Sequence, residues 1–308
     1  MEASGVGSSA VAWDRESGGV RWHLELDRAV LLPGRLVGGR VRISAEHDID
    51  ARGAVVALIG VEHWRHRVTT SDAQGHSSTQ VVTTRKELTR EPVQLDGVVQ
   101  LGRGDQRAWT FDLPVPPMGP ASLDARDAGL DWSVEAKLDI ASGFDSLIEA
   151  PVIVAQPMAL LRAGAIDVGQ FALFDSADVA AEGITGSIRL TPMPLVCGEA
   201  FSGAVTLDMG RSQKLQEIRA ELRIEVKATV SEGESEVVTA WAGQLAPAGE
   251  YAGPQQIAVT GTIDARPLPT SELPHGRAQA TFHVILARAL APDTHLVRDV
   301  TIATTREL

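Results

Sequence analysis

The residues best able to bind a metal in this chain are its histidines. His63 and His66 are separated by two residues, and side chains at that spacing on a strand point to opposite faces unless the strand ends there. Two ordinary polar histidines at a strand end explain the pattern better than a metal pair. His275, His283 and His295 fall in different predicted loops and strands with no shared spacing, and we expect them to be structural or exposed. We therefore predict no metal site.

Potential nucleophiles and acids lack the companions that catalysis needs. Cys197 is the only cysteine, and nothing near it in the sequence supplies a base, so we expect a buried or half-buried residue at the start of a strand. Ser122 and Ser202 lack the Gly-x-Ser-x-Gly elbow of hydrolases. The acidic run 232–236 lacks the ligand spacing of an EF-hand and is read as a solvated hairpin turn. We predict no catalytic residue, no cofactor-binding residue and no enzyme, which places an unrecognised hydrolase last among the alternatives.

The tryptophans permit a second kind of function. Several of them exposed on one face could stack on sugar rings, which would make the chain a carbohydrate- or small-ligand-binding protein. More often such residues fill the core of a β-sandwich, because each one buries a large apolar area. The residues concerned are Trp13, Trp22, Trp64, Trp109, Trp132 and Trp241.

The composition predicts a globular protein that stays in the cytoplasm. Of the 308 residues, 44% are hydrophobic and 22% are charged, and the formal net charge is −12. No basic face or tail stands out, so we expect neither nucleic acid nor an anionic membrane surface as a partner. No segment approaches the roughly 20 apolar residues that span a bilayer, and residues 1–10 lack the features of a signal peptide. A single cysteine excludes an internal disulfide and gives no evidence of an oxidising compartment.

Apolar and polar residues alternate over much of the chain, which predicts strands with one buried face. The clearest case is residues 218–230. An amphipathic helix starting at Ser212 would fit the pattern as far as Leu222, but its apolar face would then meet Glu225, so a strand is favoured. Residues 54–61 are apolar on both faces, as in a central strand. Similar alternation occurs in residues 20–26, 132–140, 184–190 and 201–209.

Turn residues separate these segments at short intervals, and the sequence contains no convincing helix. Residues 72–75 are predicted to close a hairpin between Val68 and Val82. Many short strands with frequent turns predict an all-β protein made of sandwiches or barrels.

The chain also repeats its own pattern. In both halves a glycine-anchored strand is followed by a long strand, a hairpin, an apolar strand, a proline-rich bend, another long strand and a closing strand. The alternative is that Gly and Pro fall where any β protein needs turns. We place the domains at residues 1–157 and 158–308, and residues 1–18 could be disordered. At an offset of 164, Gly34 corresponds to Gly198, Gly39 to Gly203 and Val41 to Val205.

This repeated pattern resembles the arrestin superfamily, including the bacterial sporulation-control proteins of the Spo-zero-M type and the retromer subunit Vps twenty-six. The family's Pro-Gly-x-x-x-x-Gly-x-Val entry to an early strand is matched by residues 33–41, from Pro33-Gly34 to Gly39 and Val41. Its aromatic strand, proline-rich bend and long alternating strand are matched by residues 111–114, 120–122 and 132–134. The resemblance covers nearly the whole chain and implies two tandem arrestin-like (immunoglobulin-like) β-sandwich domains.

The resemblance further implies a non-enzymatic intracellular adaptor that binds other proteins, regulatory in the manner of bacterial sporulation or stress control. Strand edges or a concave face would recognise the partner. Some family features are missing. There is no Pro-Pro-x-Tyr motif, since Tyr251 is the only tyrosine, and no long regulatory tail is expected after Leu308. We identify no residues matching the buried charge cluster of the visual-type arrestins, so binding triggered by phosphate is not expected.

Overall fold

The computed structural model describes residues 10–72, 74, 76–141, 143–162 and 176–306. Over these ranges the chain is almost entirely β-structure, and its one helix is α1, Met158–Arg162. No helix in this part of the chain combines the length and hydropathy that a membrane span requires. The predicted all-β class is therefore confirmed.

Twenty-three strands follow one another along the described residues. Before α1 come β1 Val11–Ser17, β2 Val20–Leu26, β3 Val30–Leu31, β4 Leu36–Ala45, β5 Ile49–Ser71, β6 Ser77–Asp96, β7 Val99–Leu101, β8 Gln106–Pro114, β9 Ala128–Ile140 and β10 Ser146–Val154. After α1 come β11 Ser176–Ala181, β12 Ile184–Thr191, β13 Leu195–Val196, β14 Ala200–Asp208, β15 Gln213–Leu215, β16 Glu217–Ala228, β17 Ser235–Ala246, β18 Gly249–Tyr251, β19 Pro254–Thr262, β20 Ser271–Glu272, β21 Gly276–Ala287, β22 Thr294–Val300 and β23 Ile302–Ala303.

The first of two compact units contains the described residues up to Glu62, together with residues 85–119 and 130–155. One of its sheets has the order β1-β2-β4-β8. Its other strands belong to a sheet with the order β3-β10-β9-β5-β6. Strand β2 illustrates why this sequence forms a sheet with one buried face, because its alternate residues from Val20 to Leu26 are buried. Each large apolar side chain buried in this way stabilises the fold by about 1.5–3 kcal/mol. The Trp22 Nε1–H donates to Ser146 Oγ at 2.8 Å, which satisfies the polar group buried with that ring.

The second unit contains residues 63–84, residues 120–129 and the described residues from Gln156 onward. Its sheets have the orders β11-β12-β14-β19 and β17-β16-β21-β20, with β22 also paired to β21. Strand β16 lies at the centre of the second sheet, and its alternate residues from Ile218 to Ala228 are fully buried. Phe282 is buried in the core, where Trp241 stacks on it at 5.9 Å and Phe201 meets both rings edge-on.

The two units share a strand order. The sheet β1-β2-β4-β8 of one corresponds to β11-β12-β14-β19 of the other, and the parallel pair β3-β10 corresponds to β13-β23. Gly34 and Gly198 have the same positive φ of 73°, and each donates its N–H to a carbonyl oxygen, of Val115 and Asp264 respectively. A left-handed backbone favours glycine. This explains why glycine occupies the equivalent position in both halves of the sequence, 164 residues apart.

The structure departs from the sequence expectations in three places. Residues 11–17 are not disordered, because β1 pairs antiparallel with β2 from Val11–Leu26 to Ser17–Val20. The charged residues 14–16 interrupt the apolar–polar alternation by which this strand could be predicted. Gln156 lies close to the expected domain boundary, but residues 63–84 and 120–129 of the first half also belong to the second unit. Helix α1 begins directly after the expected domain boundary, where the sequence predicted no helix.

Candidate functional site

Residues 63–84 of the second unit form a β-hairpin, whose turn follows Ser71 as the sequence predicts. We call residues 67–84 the ribbon; residues 73 and 75 at its tip lie outside the described ranges. Residues 69–71 and 77–81 are all exposed. Because successive residues of a strand point to opposite faces, the ribbon exposes both faces here. A two-stranded hairpin with both faces exposed to solvent is only marginally stable by itself. Its stability therefore depends on the contacts at its base.

The base of the ribbon is held by packing and by backbone hydrogen bonds. The Trp64 ring is buried and stacks on His275, with centroids 4.0 Å apart and planes 10° apart. The hairpin between β16 and β17 runs beside the same segment: His66 forms an antiparallel bridge with Gly233, and Arg67 N–H donates to the Glu232 carbonyl at 3.0 Å. These contacts fix the direction in which the ribbon leaves its base.

A buried carboxylate completes this base. The Asp127 side chain is 1% exposed and accepts hydrogen bonds from Arg65 Nη1 at 2.7 Å and from Arg126 Nε at 2.9 Å. The Arg65 N–H also donates to the Asp127 carbonyl at 2.9 Å. Burial alone would raise the pKa of Asp127, but the hydrogen bonds and charges of Arg126 and Arg65 outweigh it and hold that pKa below its ordinary value. Asp127 is therefore a charged and fully partnered group.

The acidic run 232–236 lies at the hairpin tip, as expected, but it is not simply a solvated turn. Glu234 pairs with Arg67 at 2.7 Å. Glu236 accepts the backbone N–H groups of Arg126 and Asp127, the second at 3.0 Å. Both glutamates are half-buried, because they tie the tip to the base of the ribbon. We call Arg65, Arg67, Arg126, Asp127, Glu234 and Glu236 the anchor cluster.

Beyond the anchor cluster, pairs of hydroxyl groups join the two strands of the ribbon. Thr69 Oγ1 and Thr79 Oγ1 are 2.9 Å apart, and Thr70 Oγ1 and Ser78 Oγ are 3.1 Å apart. Such cross-strand pairs typically contribute about 0.2–1 kcal/mol each. They hold the register of the ribbon without adding charge.

Strand β6 ends its sheet, and its two halves differ in how that edge is protected. Residues 85–92 carry five charged side chains and Pro92. Arg85 and Arg90 pair with Asp131 and Glu135 of β9, which lies on the other side of β5 in the same sheet. Charges and proline discourage a further strand from adding to an edge. Residues 77–84 contain no charged residue and no proline. This half of β6 is therefore the part open to pairing.

The arrangement can donate and accept backbone hydrogen bonds, but it offers no set of groups for acid–base or metal chemistry. No group of three His, Cys, Asp or Glu side chains in the described part of the chain could hold a metal ion. An edge of eight residues presents about four N–H and four C=O groups outward. That pattern is suited to an extended peptide segment.

The histidines that the sequence offers as possible metal ligands make contacts within the fold. His63 and His66 do not lie at a strand end, because β5 continues to Ser71; His63 Nε2 lies 2.9 Å from the Ala125 carbonyl oxygen, to which it donates. His283 and His295, which share no sequence spacing, come together on β21 and β22 with ring centroids 6.0 Å apart. Burial, together with Arg223 and His295, lowers the pKa of His283. Only the pairing of β21 with β22 brings these two rings together.

The other candidates also occupy ordinary positions. Cys197 is half-buried directly after β13, and burial raises the pKa of its thiol. Trp22, Trp64 and Trp132 are buried, while Trp13, Trp109 and Trp241 are half-buried. Sequence reasoning missed the anchor cluster, since Arg65 and Asp127 are 62 residues apart. The one available signal was the density of charge in residues 232–236.

No family model matches this sequence, and no curated protein matches it either.

Proposed function

We propose that the protein is a non-enzymatic intracellular adaptor that binds other proteins by adding one of their strands to the open edge of the ribbon. In this proposal the two units are tandem arrestin-like β-sandwich domains, an assignment supported by their common strand order. A regulatory role of the bacterial sporulation or stress type rests on the sequence resemblance alone. The single cysteine and the acidic net charge agree with a cytoplasmic protein whose partners are neither nucleic acid nor membrane.

The observation that carries the proposal is an uncharged edge on an anchored ribbon. From Val68 to Thr84 the only formally charged residue is Asp72, although 22% of the whole chain is charged. Both faces of the ribbon are exposed near its tip, whereas its base is fixed by Trp64 and Asp127. An edge that is held in place before binding loses less entropy when a partner strand docks. Backbone pairing would supply affinity, and side chains on the two faces would supply selectivity.

A carbohydrate- or small-ligand-binding protein is the alternative, and it needs exposed coplanar tryptophans. All six tryptophans lie in the described residues, and each is buried or half-buried. The core stack of Trp241 on Phe282 uses one ring face that a sugar would need. The tryptophan positions therefore favour the adaptor.

The test is a comparison of variants in partner capture. In Ser78→Lys/Gln80→Lys, two exposed ribbon residues of β6 receive charges that an added strand would have to desolvate. Ser78→Glu/Gln80→Glu should act in the same way, because desolvation and not the sign of the charge is the cause. Proteins retained from the cytoplasm by the unaltered chain, quantified by mass spectrometry, should fall by roughly tenfold or more, which corresponds to about 1.4 kcal/mol.

The matched control is Val98→Lys/Gln106→Lys, which adds the same charge at two exposed residues of the first unit. It should retain the same proteins as the unaltered chain. Equal capture by the ribbon variants and the control would refute binding at this edge. For a partner that is retained, hydrogen exchange of residues 77–84 should slow in the purified complex.

A further inference from the structure

Two histidines on neighbouring strands of the second unit form a cluster that the adaptor proposal does not use. His283 lies on β21 and His295 on β22, and their rings meet edge-on with centroids 6.0 Å apart. Both side chains point to the face opposite that of Phe282 and Leu296, which are buried in the core. His283 is half-buried and His295 is exposed.

The surroundings of His283 suit a neutral ring better than a charged one. Its Nε2 lies 3.0 Å from Thr281 Oγ1, so one ring nitrogen has a hydrogen-bond partner. Its Nδ1 is enclosed and has no such partner in the described part of the chain. A neutral ring can leave Nδ1 as a bare lone pair, whereas a protonated ring carries an N–H on both nitrogens. Protonation would therefore bury a donor without an acceptor, which is unfavourable.

The charged groups of β16 that face His283 do not offset this cost. Glu221 lies directly opposite, and Arg219 and Arg223 lie on the two diagonals. Arg223 Nε donates to one oxygen of the Glu221 carboxylate at 2.8 Å, and Arg219 Nε lies 3.4 Å from the other. Glu221 favours a charged ring, but it is already paired with two arginines.

Strand β22 covers the other side of His283. Val297 lies opposite the ring, and His295 and Asp299 lie on the diagonals. Burial lowers the pKa of His283 most, and the positive charges of its neighbours lower it further; the exposed Asp299 does not contribute to this shift. Detachment of β22 would expose the ring to water and move His295 away from it. A proton therefore binds to His283 more readily when β22 is detached.

We propose that β22 is an acid-sensitive latch, which stays closed on β21 while His283 and His295 are neutral and detaches more often once they bind protons. In the described part of the chain β22 pairs only with β21, so its detachment breaks one ladder. Arg298 is buried on β22 and donates from Nη1 to the Ile188 carbonyl oxygen of β12 at 2.9 Å. Detachment would therefore also release a contact with the other sheet of this unit. The latch is independent of the adaptor proposal, because it uses other strands.

The direction of the pH response follows from the surroundings of the ring. Because the attached strand lowers the pKa of His283, the detached state takes up the proton first as the pH falls. The closed latch is therefore fully favoured above the ordinary histidine pKa of 6.5 and loses part of this advantage below it. The loss ends once the ring is protonated in the attached state too. The latch thus responds in the mildly acidic range.

The test is amide hydrogen exchange of the full chain at about pH 7.5 and about pH 5.5, on either side of the ordinary histidine range and corrected for intrinsic rates. Opening of residues 294–300 should rise by roughly threefold or more in acid, while β2 and β4 should not change. His283→Gln keeps a polar side chain beside Thr281 but cannot become charged, so it should lose most of this rise. His47→Gln, at an exposed histidine of the first unit, should retain it. An equal rise in His283→Gln, or no rise in the unaltered chain, would overturn the proposal.

The titration of the ring gives a second readout, which altered packing alone would not reproduce. The Cε1–H resonance of His283, followed by NMR, should titrate below pH 6.5. Arg223→Gln removes a positive neighbour and frees Glu221, so both this titration and the opening of β22 should move to higher pH. Lys214→Gln, at an exposed residue of the same unit, should leave both unchanged. A ring that titrates at or above pH 6.5, or one that Arg223→Gln leaves unaltered, would contradict the latch.

Discussion

At the scale of single residues, Asp127 has the most consequential surroundings. It is buried, yet Arg65 and Arg126 keep it charged, and the main chain around it is held by Glu236. A buried carboxylate without partners would be costly. The Asp127 carboxylate joins the base of the ribbon to residues 120–129 through Arg65 and Arg126, and the Asp127 backbone N–H joins both to the β16–β17 hairpin through Glu236. Its contribution to stability should be visible in both a substitution and a pH profile.

We expect Asp127→Asn to lower the free energy of unfolding by about 2 kcal/mol at neutral pH, since it weakens the hydrogen bonds that Arg65 and Arg126 donate to a buried carboxylate. The folded-state pKa of Asp127 lies below the unfolded value. The charge of Asp127 therefore stabilises the fold fully above about pH 4 and loses this effect as the pH falls through the folded pKa. Chemical denaturation from pH 7 to pH 3 should show the difference between variant and unaltered protein shrink.

The control for this substitution is Asp131→Asn, which affects a pair with Arg85 between side chains that are 54% and 67% exposed. Exposed pairs contribute about 0–1 kcal/mol, so this variant should change stability little at any pH. A loss at Asp127 that did not shrink in acid would mean that shape, not charge, sets the effect.

At the scale of elements, the strands at the ends of the sheets differ most in the charge and polarity of their side chains. Residues 77–84 of β6 are uncharged and rich in hydroxyls, residues 85–92 of the same strand are charged, and β17 is uncharged and bulged. The three segments differ in their solvent-facing side chains, which contribute little to folding and are free to specify binding.

The stack of Trp64 on His275 should control the motion of the ribbon. His275→Ala removes the partner ring, and such contacts contribute about 0.5–1.5 kcal/mol beyond the area that they bury. We expect amide hydrogen exchange to accelerate in residues 65–71 and 77–84 and to stay unchanged in β2 and β4. His76→Ala, at the exposed tip, loses only a contact with Asp72 and should leave exchange at the base of the ribbon unchanged.

At the scale of the whole molecule, the two compact units do not coincide with the two halves of the chain. Residues 63–84 and 120–129 belong to the second unit, whose remaining residues start at Gln156. Within that unit Ala128 lies against Gly276, where a Cβ would come within 2.6 Å of it, and the Asp124 N–H donates to the Pro267 carbonyl. A fragment cut at the sequence boundary therefore lacks part of its own unit.

We expect the isolated fragment 158–308 to unfold at a lower urea concentration than the second unit of the intact chain. Trp241 is the only tryptophan of that fragment and can report on its core in both proteins through fluorine NMR of fluorotryptophan-labelled chains. The fragment should also bind a hydrophobic dye, because its missing segments leave apolar residues uncovered. Equal midpoints would show that residues 63–84 and 120–129 add no stability to the second unit.

The sequence by itself determined the local features of this protein. The period-two pattern predicted β2, β9, β12, β14 and β16 close to their observed bounds. A strand with one buried face alternates apolar and polar residues, so neighbouring residues alone reveal it. The hairpin after Ser71 and the left-handed Gly34 and Gly198 follow from turn chemistry, which is equally local. Strand β1 was missed because three consecutive charges interrupt its pattern.

Only the tertiary structure decided which distant residues meet. The contacts of Asp127 with Arg65, the approach of His283 to His295 and the adjacency of β17 to β19 all depend on how strands pair and sheets pack. The same holds for the membership of residues 63–84 in the second unit. The alternation in a strand shows that one face is buried. It does not show which strand or sheet packs on that face, since many partners are compatible with the same alternation. The ribbon therefore becomes visible as a candidate binding surface only after the chain has folded.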